Sequence, residues 1–156
     1  MRRFFLTPQR LLLLFLLIVA GAAGIYFFQP LSLPALPEET VQVEVSSYRL
    51  QPYDIQQEEY ILTPDSPQWL QMEEIFSSLT FHRCVQTLSG GTSTGGTGGR
   101  VLNFYGRNAE HDLLWDVTIT ASCHLRVGDL VYHLGWWGDE QGQQLANGLA
   151  QILEGS

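Results

Sequence analysis

The chain contains no lysine, only two cysteines, and no charged residue from Leu11 to Phe28. Without lysine there is no phosphate-gripping P-loop residue, no Ser–Lys nucleophile pair and no Schiff-base chemistry. Cationic side chains are scarce beyond the leader: from Gln29 onward five arginines face sixteen acids, a net charge of −11. Such a surface repels phosphate backbones and anionic headgroups, which excludes nucleic acid as a partner. H-E-x-x-H and G-x-S-x-G are both absent, so no zincin site and no hydrolase triad is nominated. No cofactor-binding motif is present.

The uncharged run 11–28 follows a leader whose only charges are Arg2, Arg3 and Arg10. As a helix it would span roughly 27 Å, close to a bilayer core. The basic flank predicts a signal-anchor with residues 1–10 in the cytoplasm and the C-terminal domain outside. Ala20-Gly21-Ala22 also fits a cleavage site after Ala22. Cleavage would leave Ile25-Tyr26-Phe27-Phe28 exposed, whereas an uncleaved anchor puts those aromatics at the outer interface. Residues 29–40 carry Pro30, Pro34 and Pro37 and read as a stiff, extended spacer of roughly 30 Å.

Residues 41–156 are long enough for one domain with a core of its own. Val41, Val43 and Val45 alternate with polar residues as in a half-buried strand. Tyr60–Thr63 reads as a second short strand, while 51–59 is polar and weakly patterned. Asp65 or Ser66 followed by Pro67 starts a helix over 66–79, with Leu70, Met72, Ile75, Phe76 and Leu79 on its apolar side. Strands are predicted over Phe81–Leu88, Val101–Tyr105 and His111–Thr120, the last with Leu113, Trp115, Val117 and Ile119 facing the core. The stretch 89–99, with six glycines and no apolar residue, reads as a flexible loop.

Val127-Gly128-Asp129-Leu130 has the form of a two-residue hairpin turn. That register opposes Leu125 to Tyr132 and Cys123 to Leu134 on the inner face. On the other face it opposes Arg126 to Val131 and His124 to His133. A three-residue connection or bulge at Ala121-Ser122 is needed to keep Val117 and Ile119 inside. Asp139 can cap a final helix carrying Leu145, Leu149, Ile152 and Leu153, which Gly142 and Gly148 weaken by about 1 kcal/mol each. The fold class expected is α+β: an antiparallel sheet of four to six strands, one inserted and one C-terminal amphipathic helix, behind an N-terminal transmembrane helix.

Four features could carry chemistry. His124 and His133 are a cross-strand pair of possible metal ligands, although zinc wants three or four and no third is assignable by spacing. Cys84 and Cys123 form a possible disulfide in an oxidising compartment, worth about 4 kcal/mol on loop entropy. The alternative is two buried thiols. The stretch TASCHLR at 120–126 resembles sortase-type transpeptidases in residue types alone, since the TLxTC strand motif is incomplete and Arg126 lies too near Cys123. Trp136 and Trp137 could cover the core's end or, together with His124, His133 and loop 89–99, form a contact surface.

The function expected is a non-enzymatic binding or accessory module of the cell envelope. Its partners would be the membrane, through its helix, and another envelope protein or cell-wall component. The alternative is an extracytoplasmic enzyme using a cysteine nucleophile or a histidine-bound metal.

Overall fold

The computed structural model describes residues 8–51, 54–89, 99–135 and 140–155. Helix α1 (Pro8–Phe28) buries none of its residues. It is long and apolar enough to cross a membrane. The remaining elements are β1 (Leu31–Ser32), β2 (Gln42–Gln51), β3 (Asp54–Leu62), α2 (Pro67–Ser78), β4 (Thr80–Arg83), α3 (Val85–Ser89), β5 (Gly99–Arg107), β6 (Leu113–Thr120), β7 (His124–Val127), β8 (Leu130–Leu134) and α4 (Glu140–Glu154). The class is α+β with an antiparallel sheet, as expected. The sheet has eight strands rather than four to six, in the order β1-β4-β8-β7-β6-β5-β2-β3, and four helices are present among the described residues.

The additional strands lack the pattern that betrays a strand. β3 is an edge strand that pairs with β2 from Val43↔Leu62 to Gln51↔Asp54. Residues 54–59 are exposed throughout. A strand wet on both faces needs no apolar alternation, so its pairing is invisible to a periodicity argument. β1 is two residues long, with Leu31 opposite Phe81 and Ser32 opposite Thr80.

One face of the sheet packs against α2 and α4. Val43, Val45, Leu102, Phe104, Ile119 and Leu125 are all essentially inaccessible there. Ser66 caps α2, its hydroxyl accepting from the Trp69 amide at 3.2 Å. The buried stripe of α2 is Trp69, Met72 and Phe76; Leu70, expected inside, is 61% exposed. The bulky Trp69 takes the inward position one residue earlier and rotates Leu70 out. Phe76 meets Phe104 edge-on with centroids 5.0 Å apart. On α4 the inner stripe falls on Ala146, Leu149, Ala150 and Leu153, with Leu145 and Ile152 half-buried at its margins. Gly142 permits the closest approach: a Cβ there would lie 2.5 Å from the Cys123 backbone nitrogen.

The hairpin follows the expected register, His124 opposite His133 and Leu125 opposite Tyr132, around Gly128 with φ 55°. Ala121, Ser122 and Cys123 make the three-residue connection between β6 and β7, and Val117 and Ile119 are buried. Cys123 takes the left-handed position, φ 58°, that glycine commonly holds in such turns. Two strand predictions need correction. After β4 the chain turns into α3 instead of continuing to Leu88, because the Thr87 hydroxyl accepts from the Cys84 amide at 2.9 Å and anchors to the Val131 carbonyl. In β6, Leu113 is 52% exposed. A register shift opposite Gly106 and Arg107 adds one residue, Leu114, and turns Leu113 outward.

Candidate functional site

The segment 29–40 is no stand-off spacer. It folds back over the end of the sheet: Leu31, Leu33 and Leu36 pack against the core, and Thr40 is buried. The Thr40 amide bonds the Pro37 carbonyl and the Val41 amide bonds the Arg107 carbonyl, each at 2.9 Å. Trp115 ties the segment down from below, its Nε1–H donating to Thr40 Oγ1 at 3.1 Å. The indole can lie there because Gly106 has no side chain; a Cβ would sit 2.0 Å from Nε1.

Between this strap and the sheet lies a recess of about 280 Å³. Its roof is Leu33–Pro37, and its floor and walls come from Phe76 of α2, Leu114–Val117 of β6 and Val127 of β7. Prolines suit a roof that contributes few amide donors, since each lacks an N–H. Among the described lining residues Asp116 alone is ionisable, and its carboxylate lies toward the opposite face of β6, where Arg126 pairs with it at 3.3 Å. The rest of the described lining is apolar or aromatic. The signal for it in sequence was the spacing of Leu31, Leu33 and Leu36 among the prolines, since a solvated linker has no use for three leucines.

The histidines occupy the face away from α2 and α4. The rings of His124 and His133 stand 5.6 Å apart, nearly perpendicular at 75°. His82, on β4, lies directly opposite His133, so three histidines form a row across β4, β8 and β7. The third member escaped the sequence reading because nothing there sets the register of β4. His133 Nδ1 lies 3.3 Å from the Gly135 carbonyl, and since a carbonyl only accepts, Nδ1 carries the proton. His124 Nδ1 lies 3.3 Å from Ser122 Oγ. Among the described residues, no three His, Cys, Asp or Glu side chains are grouped to hold a metal ion.

No disulfide joins Cys84 to Cys123. Cys123 is opposite Leu134 (Leu134 N to Cys123 O, 2.8 Å), and Cys84 Sγ approaches the Val131 carbonyl at 3.5 Å. The two therefore flank β8 on opposite sides and some three residues apart along it. That offset is roughly 10 Å along the strand alone, beyond the ~7 Å Cα limit for a bridge. Cys123 is fully buried, and its sulfur accepts from the Gly142 amide at 3.0 Å. The thiol of the TASCHLR stretch is thus enclosed beneath α4. Trp136, Trp137 and Asp139, and residues 90–98 of the glycine-rich stretch, lie outside the described residues. No protein-family model, curated protein or solved structure matches this chain.

Proposed function

We propose that this protein is a single-pass membrane protein that keeps its N-terminus in the cytoplasm and displays its α+β domain outside, as a non-catalytic binding module of the cell envelope. The leader supports that orientation: all its charges are arginines, and every acid lies beyond the helix. Burial of Cys123 and the absence of a grouped ligand set among the described residues weigh against the enzymatic alternative.

The observation that carries the binding reading is the recess beneath the proline-rich strap, apolar except for a paired aspartate. Its chemistry selects a neutral apolar group, such as an alkyl chain or an apolar side chain of a neighbouring envelope component, and the acidic surface around it disfavours anionic ligands. The test uses Nile red, a neutral apolar fluorophore, with a soluble form containing residues 29–156. Saturable, blue-shifted emission is expected, and Ala35→Trp, which fills the roof of the recess, should abolish it without altering the far-UV spectrum. Saturable binding that survives Ala35→Trp would place the ligand elsewhere and defeat this reading.

A further inference from the structure

We propose that the domain has a second membrane contact: α3 and the β7–β8 turn rest in the outer lipid interface beside α1. This rests on the reading that α1 spans a bilayer. A helix of 21 residues measures roughly 31 Å and fills a bilayer core, so Tyr26, near its C-terminal end, marks the level of the outer interface.

Arg83 fixes the domain to that level. Its Nη1 donates to the Tyr26 carbonyl at 3.2 Å, and its guanidinium carbon lies 4.6 Å from the centroid of the Tyr26 ring. β4 runs toward the membrane, because Phe81 pairs with the residue nearer to α1, Leu31, and Thr80 with the more distant Ser32. Arg83 is thus the membrane-proximal end of β4, and α3 begins two residues later. β8 runs the other way with Tyr132 opposite Arg83, so Leu130 projects two residues, roughly 7 Å, further toward the bilayer.

This end exposes several large apolar side chains beside the polar Ser89 and Asp129. Val85 is 75%, Leu88 59% and Leu130 41% exposed, and α3 buries none of its residues. Three large aliphatic side chains gathered at the level of the headgroups find there the apolar environment that water denies them. Charge does not supply the attraction: the domain is strongly acidic, and Asp129 sits in the same turn. The contact therefore suits a zwitterionic surface and is insensitive to salt.

The test places the full-length protein in nanodiscs of phosphatidylcholine brominated near the headgroup end of the acyl chains. Four tryptophan variants are compared with the parent: Leu88→Trp, Leu130→Trp, Gln57→Trp on the distant β3, and Phe15→Trp within α1. The proposal expects the added emission at positions 88 and 130 to be largely quenched, in low and high salt alike, and that at 57 to persist. Quenching at 15 with none at 88 and 130 overturns the proposal while leaving the anchor intact. Absence of quenching at 15 removes the membrane reading itself, and the proposal with it.

Discussion

Across β5 and β6, the face toward α2 and α4 carries Leu102, Phe104, Val117 and Ile119, whereas the opposite face carries Asn103, Tyr105, Asp116 and Thr118. The same strands serve both faces, but the two hold together differently. The inner face is closed by shape: aromatic and aliphatic side chains interlock beneath two helices, and each loss leaves a hole. The outer face is closed by hydrogen bonds, Thr118 to Asn103 at 2.9 Å and Arg126 to Thr118 and Asp116, each at 3.3 Å. Buried polar groups there are satisfied locally, so substitutions disturb a neighbour and not the whole layer. Stability is concentrated on the first face, which leaves the second tolerant of change.

The sharpest way to break that contrast is a truncation on each side. Phe104→Ala should destabilise by about 3–5 kcal/mol in urea unfolding, because Phe76 loses its ring partner and the cavity cannot collapse between sheet and helix. His133→Ala, on the other face, should cost about 1 kcal/mol or less. Equal losses would mean that the two faces share the work.

A finer cut compares two glycines of α4. Gly142→Ala drives a methyl into the Cys123 backbone and should cost about 1–3 kcal/mol by thermal melting. Gly148→Ala meets nothing within 4 Å and should stabilise by about 0.5–1 kcal/mol through helix propensity. Sequence alone ranks both glycines as weak points of the helix; only the packing separates them.

The smallest effect belongs to Tyr60, on the inner face at the β3 edge. Burial, then the hydrogen bond to Glu58 at 2.8 Å, pushes its phenol from 10.0 up to about 12. Folding therefore favours the protonated phenol. Its contribution is fully present below pH 10 and is lost as pH rises toward about 12. Stability should be level on this account up to pH 10 and fall above it, and Tyr60→Phe should make that fall shallower.

Legibility in sequence followed the same division. The β7–β8 register and the three-residue connection before it were readable because Val117, Ile119, Leu125 and Tyr132 alternate toward a single core. β3, whose first six residues are wet on both faces, offered no such signal. α3 depended on one hydroxyl, that of Thr87, which composition does not rank above any other. The recess was hidden more deeply. Its roof looked like a linker by proline content, and its floor required Trp115 to cross over Gly106, a cross-strand pairing that hydrophobic alternation does not mark.

The strap must be part of the domain, since the recess exists only if residues 31–41 are docked. Amide hydrogen exchange of the full-length protein addresses this directly. The Thr40 and Val41 amides, bonded to Pro37 and Arg107, should exchange slowly. Exchange of both at the rate of an unstructured chain, with β5 and β6 still protected, would show a loose spacer and no recess.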